Sequence, residues 1–175
     1  MRTMKMKRII FFLIANMLIF NYLSAQEERK HIRKGNNKFE DNQFEEAEVD
    51  YRKALETEPS SVKANFNLGD ALYKQEKYQE AANQFQGTAH LADNEKNAAD
   101  VYHNLGNALL KEKKYKESIE AYKEALRRNP GDMDTKYNLA YAREMLKNQQ
   151  QQQQQQQQNQ DQQDKKDQQK KDQNQ

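Results

Sequence analysis

Cysteine is absent from the chain, so neither a disulfide framework nor thiol redox chemistry is open to it, and its stability must come from packing alone. The three histidines, His31, His90 and His103, stand far apart. None has a second histidine three or four residues away, which removes the spacing a helical metal site needs. No glycine-rich phosphate loop is present. None of the four serines (Ser24, Ser60, Ser61, Ser118) stands in a nucleophile-elbow context. Net charge is also small, +2 over 175 residues. That is far from the basic footprint by which nucleic acid is bound. These absences predict a protein with no catalytic residues, no cofactor, no metal and no nucleic-acid partner.

The two ends of the chain cannot belong to a packed core. Residues 1–25 begin with Arg2, Lys5, Lys7 and Arg8 and no acid, followed by an apolar stretch, Ile9 to Leu23, and the small exit Ser24-Ala25. A basic start, an apolar run of 15 residues and a small-residue exit describe a secretory signal peptide. The run is shorter than the roughly 20 residues a membrane-spanning helix needs. The expectation is therefore export, to the periplasm or the periplasmic face of the inner membrane. Membrane contact is expected only through this segment or a partner. At the other end Gln149–Gln158 are ten consecutive glutamines, and residues 159–175 contain only Asn, Gln, Asp and Lys. With no apolar surface to bury, residues 148–175 are expected to be a disordered tail. Helicity should bleed a few residues into the glutamine run and fade before Asp161. What remains, 26–147, carries 21 basic and 23 acidic residues and is close to neutral.

Glycine and proline are scarce, so their spacing is informative. Gly35, Gly69 and Gly106 are 34 and 37 residues apart, and Pro59 and Pro130 each follow one of them by 24. Small residues (Ala47, Ala81, Ser118) recur 12 positions after each glycine, and rings (Tyr51, Phe85, Tyr122) recur 16 after. Phe44, Tyr78 and Tyr115 share a position as well. A period near 34 residues signals stacked units that bury their apolar faces on one another. Helical spacing within each unit predicts paired antiparallel helices at 27–40 with 44–57, 61–75 with 78–91, and 97–112 with 115–128. A seventh helix at 132–147, with a charged outer face, would cap the stack. Three extra residues within 90–98 predict a longer turn or an added part-turn of helix there. Gly35 is expected at a looser edge than the other two, because His31 and Lys34 stand where bulky apolar residues recur in the later units.

The pattern resembles the tetratricopeptide repeat, with motifs at about 28–61, 62–95 and 99–132 and a cap at 132–147; "DVYHNLGNALLKEKKYKESIEAYKE" is its clearest copy. The second copy departs, with Thr88 for alanine and Asp93 for proline. The resemblance implies an all-α, right-handed superhelical stack of three helix pairs plus a capping helix. The order of leader, three repeats, "YNLAYAREML" cap and polar tail also resembles the small exported repeat proteins of bacterial aerotolerance (Bat) operons. That implies a non-enzymatic scaffold in a stress-related envelope complex, with von Willebrand A-type membrane proteins as partners. A periplasmic assembly factor for outer-membrane or cell-wall machinery would be built on the same repeats.

In this family the second, fifth, ninth and twelfth positions of each first helix line the concave wall. Here they are Arg29, Ile32, Asn36 and Phe39; Lys63, Phe66, Asp70 and Tyr73; Asp100, His103, Asn107 and Leu110; and Asp134, Tyr137 and Tyr141 on the cap. Aromatic surface with amides among it suits extended peptides. Asn67, Asn104 and Asn138 stand just inside the wall, where they either contact a ligand or tie adjacent helices together. Relatives that clamp a chaperone's terminal carboxylate carry three cations at positions occupied here by Ile32, Asp100 and Asn104, so that clamp is not expected.

Overall fold

The computed structural model describes residues 25–92 and 94–173. Most of the expected leader, and Asp93, lie outside the described residues. Seven helices follow one another, with no strand among the described residues. They are α1 (25–40), α2 (Phe44–Thr57), α3 (Val62–Lys74), α4 (Tyr78–Ala89), α5 (Glu95–Lys111), α6 (Tyr115–Arg128) and α7 (Met133–Gln173). Each helix packs on the next in sequence, and the first helices of successive pairs also meet, α3 on α5 and α5 on α7. This is the layered stack expected from the period. Among the described residues no helix is long and apolar enough to cross a membrane.

The recurring glycines allow the close approach within each pair. A Cβ built on Gly35, Gly69 or Gly106 would sit 2.5, 2.6 or 2.4 Å from the ring of Tyr51, Phe85 or Tyr122, respectively. No side chain fits there without displacing the ring. The looser edge expected at Gly35 is therefore not found; its ring is as close as the others. Small residues meet the same need on the second helices: Ala47, Ala81 and Ser118 are fully buried, and Ser118 donates its hydroxyl to the Gly106 carbonyl at 2.8 Å. Thr88 is buried as well and donates to the Gln84 carbonyl at 2.7 Å. That internal bond explains how a hydroxyl is tolerated in an alanine slot.

One turn type joins the two helices of every pair. Asn42, Glu76 and Lys113 have φ of 60, 62 and 58°. The amides that follow them reach back five residues, Gln43 to the Lys38 carbonyl, Lys77 to Leu72 and Lys114 to Leu109, at 2.8–3.0 Å. These are Schellman closures with a non-glycine residue in the left-handed position. Asparagine tolerates that conformation better than glutamate or lysine. Glu76→Gly and Lys113→Gly should each stabilise the fold by about 0.5–1 kcal/mol, and Asn42→Gly by less, in urea unfolding.

The longer connection between the second and third pairs lengthens a helix. α5 starts at Glu95, two residues before its expected start, with the Asn94 side chain accepting from the Asn97 amide at 2.9 Å. α3 and α7 are capped the same way. Ser61 accepts from Ala64, and Asp132 accepts from the amides of Asp134 and Thr135.

The largest correction concerns the tail. α7 does not fade before Asp161; it continues to Gln173, 41 residues in all. Low apolar content excludes packing, and residues 151–160 are indeed exposed throughout. It does not exclude helix. Glutamine is a good helix former, and propagation from a packed end adds a hydrogen bond per residue without a new nucleus. Deleting residues 159–175 should lower the far-UV helical signal and leave Tm unchanged.

Candidate peptide-binding groove

The expected wall residues come together along one face of α1, α3, α5 and α7, where they line a row of cavities. The cavity between α1 and α3, about 230 Å³, is lined by Asn36, Phe39, Glu40, Tyr51, Lys63, Asn67 and Asp70. A small one of about 30 Å³ continues it toward α5, against Asp70, Tyr73, Phe85, Asn104 and Asn107. Beyond it a cavity of about 420 Å³ runs along α7, lined by Tyr73, Leu110, Tyr115, Tyr137, Tyr141 and Met145, among others. Near the helix starts, Lys63 and Phe66 share a cavity of about 470 Å³ with Asp100 and Val101. The apolar area is available rather than buried: Tyr137 is 73% and Tyr141 45% exposed. Phe66 and Tyr73 are half-buried, edge-on to Phe85 and Tyr78 at 5.8 and 5.2 Å between centroids.

Two expected wall residues sit differently. Ile32 is 4% exposed and packs with Ala54 and Ala64. The small side chains on both neighbouring helices let it sink below the wall, so its position offers a ligand almost no surface. His103 is turned to the cap, with Nδ1 2.6 Å from Thr135 Oγ1. Thr135 in turn donates its hydroxyl to Asp132. Burial raises the Asp132 carboxyl, but the side chain and amide of Thr135, with His103 beside them, hold it below the usual carboxylate range. His103 therefore belongs to the bond between the third pair and α7.

The asparagines form a ladder that the sequence did not reveal. Asn67 Nδ2 donates to Asn36 Oδ1, Asn104 Nδ2 to Asp70 Oδ1, and Asn138 Nδ2 to Asn107 Oδ1, each at 2.9 Å. Each rung joins the first helix of one unit to that of the next. In the outer rungs the acceptor takes a second bond from a buried ring hydroxyl, Tyr51 to Asn36 at 3.0 Å and Tyr122 to Asn107 at 2.7 Å. Burial pushes the Tyr51 hydroxyl up to about 12, so it is a permanent donor at neutral pH. Of the two readings open for these asparagines, tying the helices together is the one the geometry displays. The pairing joins residues 31–34 apart, a spacing the repeat period itself supplies.

The middle rung differs. Its acceptor is a carboxylate, Asp70, and the ring opposite is Phe85, which has no hydroxyl. Burial, partly offset by Lys74 and by the Asn104 bond, pushes the Asp70 carboxyl up to about 7. The folded state thus binds this proton more tightly than the unfolded chain does. Stability should decline as pH rises from about 4, the unfolded value, to 7, and the cost is fully present above that. Asp70→Asn should raise Tm by several degrees at pH 8. The gain should vanish below about pH 4, where both states are protonated.

Among the described residues no group of three or more metal-ligating side chains converges. The cluster of His31, Lys38 and Asp50 lies instead at the open edge of the first pair. Asp50 is buried there, and Lys38 reaches it at 2.8 Å.

The fold is shared with known repeat proteins. The first TPR of Spaghetti (RPAP3), solved bound to the HSP90 peptide SRMEEVD, superposes with a TM-score of 0.65 at 21% identity, over 69% of this chain and 94% of that one. The Arabidopsis OM64 TPR domain gives 0.64 at 19% identity, over 69% and 98%. The yeast Sti1 TPR2AB domain, solved with an HSP90 peptide, gives 0.63 at 26%, over 71% of this chain and 49% of that one. No curated protein matches the chain in sequence. Residues 32–96 and 99–132 each match the tetratricopeptide repeat. With more than half of its length so matched, the chain belongs to the tetratricopeptide repeat family.

Proposed function

We propose that the chain is an exported, non-enzymatic scaffold that holds extended segments of envelope proteins in its concave groove. The row of adjoining cavities along α1, α3, α5 and α7, lined by aromatic and amide side chains, carries this reading. The basic and apolar leader supports export. The order of leader, repeats, cap and polar tail supports a place in an aerotolerance complex, with von Willebrand A-type membrane proteins as partners. The HSP90 peptide with which the first TPR of Spaghetti (RPAP3) was solved is not carried over. Ile32 and Asp100 stand where a carboxylate clamp needs cations, and Ile32 is buried besides.

The test is capture from a membrane extract on the purified chain, with and without Phe66→Ala/Tyr73→Ala. Capture of von Willebrand A-type proteins by the wild type, lost in the double variant, is the expected result. Outer-membrane or cell-wall assembly proteins in their place would overturn the partner assignment. Equal capture by both forms would move the working surface away from the groove.

A further inference from the structure

The middle rung of the ladder is built unlike its neighbours, and the difference faces the groove. The side-chain oxygens of Asn36 and Asn107 each accept two hydrogen bonds from within the protein. Asp70, at the same position of the second unit, accepts one, from Asn104 at 2.9 Å. The ring that would supply the second is Phe85, and no ion pair to Asp70 forms among the described residues. Lys74 is the cation that acts on its charge, from the next turn of α3. Lys63 shares a cavity with Asp70 without pairing to it.

Asp70 also lines two cavities at once, the one between α1 and α3 and the small one toward α5. Phe39 and Tyr51 wall the first, with Glu40 adding a second carboxylate; Tyr73 and Phe85 wall the other. Apolar walls accommodate a methylene stem, a carboxylate receives the charged end, and a ring face at the side adds a cation–π contribution. A half-buried carboxylate with one donor is costly, and a cation arriving with the ligand offsets that cost. An acidic segment would meet repulsion at the same point.

We infer that the groove selects, at its centre, a partner segment carrying a lysine or arginine side chain, which the Asp70 carboxylate holds between the two amide rungs. This rests on the groove being the peptide-binding surface, and it specifies the ligand's chemistry there.

The probe is a random peptide library displayed on phage and selected on the immobilised chain, followed by affinity measurements with labelled synthetic peptides. Selected peptides should share one lysine or arginine. Its replacement by glutamine should weaken binding to the wild type at least tenfold and to Asp70→Asn less than twofold. Asp70→Asn keeps the Asn104 bond and copies the residue of the flanking units, so the variant should fold. Glu80→Gln, the same charge change on α4, should retain the full preference. A common basic residue whose replacement costs Asp70→Asn as much as the wild type would overturn the assignment. So would selected peptides without a shared cation. In those outcomes Phe66→Ala/Tyr73→Ala still weakens binding roughly thirtyfold or more if the groove is the site. If the selected peptides bind the double variant undiminished, or if no peptide is selected, the groove reading itself fails and the inference fails with it.

Discussion

Phe85→Ala should destabilise the protein by about 3–5 kcal/mol, enough to remove a large part of its folding free energy. Phe85 is completely buried at the centre of the main core cluster, with Leu68, Leu72 and Val101 among its members. Its loss leaves a void that helices pinned on both sides cannot close. The ring also fills the space above Gly69, where a Cβ would lie 2.6 Å from it. Gly69→Ala alone should therefore be destabilising by about 1–3 kcal/mol through overpacking. In the Phe85→Ala background the same change should cost almost nothing, because the ring it displaces is gone. Urea unfolding of the four proteins of this cycle should give a coupling of about 1 kcal/mol or more. Strict additivity would mean that ring and glycine do not share the space the geometry assigns them.

The second large effect is on binding. Replacing Phe66 and Tyr73 together with alanine should weaken partner affinity by at least about 2 kcal/mol, roughly thirtyfold. Both are half-buried rings in the central unit, flanking Asp70, and large anchors in the middle of a contact dominate affinity. Each is also packed on a neighbouring ring, Phe85 or Tyr78. The double variant should thus unfold at lower urea concentration while remaining helical in its absence. Affinity measured well below the unfolding transition separates the two effects. Unchanged affinity there would direct attention to the second helices.

Where the sequence marks an element at both ends, its bounds can be read closely. α6 runs from Tyr115 to Arg128 as expected, because a recurring aromatic opens it and Pro130 closes it. α5 lacks such a mark at its start; an asparagine inside the insertion caps it two residues before the expected start, so of the two readings of the three extra residues the structure displays the added part-turn of helix. The helicity of the tail is not legible in its composition, which speaks to packing, whereas helix elongation depends on what the segment is attached to. Within the groove, the wall residues were legible as positions in a period. Their employment was not. Whether Asn67 or Asn104 faces a ligand or a neighbouring amide depends on how far one unit is displaced across the next. Ile32 shows the same limit: its position belongs to the wall, but Ala54 and Ala64 give it room to sink, and that is a property of three helices together. The special standing of Asp70 follows from two residues read jointly, an aspartate where its counterparts are asparagines and a phenylalanine where theirs are tyrosines.

α7 separates the size of this molecule from its stability. Some 25 residues of the helix run on past the stack, and at 1.5 Å per residue that is on the order of 40 Å of rod. Residues 151–160 of it are exposed throughout, so the protein should melt like a small body yet tumble and diffuse like a much longer one. Its length adds reach without adding cohesion. Insertions or losses in the glutamine run would change the distance between the stack and the far end of the chain in steps of about 1.5 Å, at almost no cost to folding.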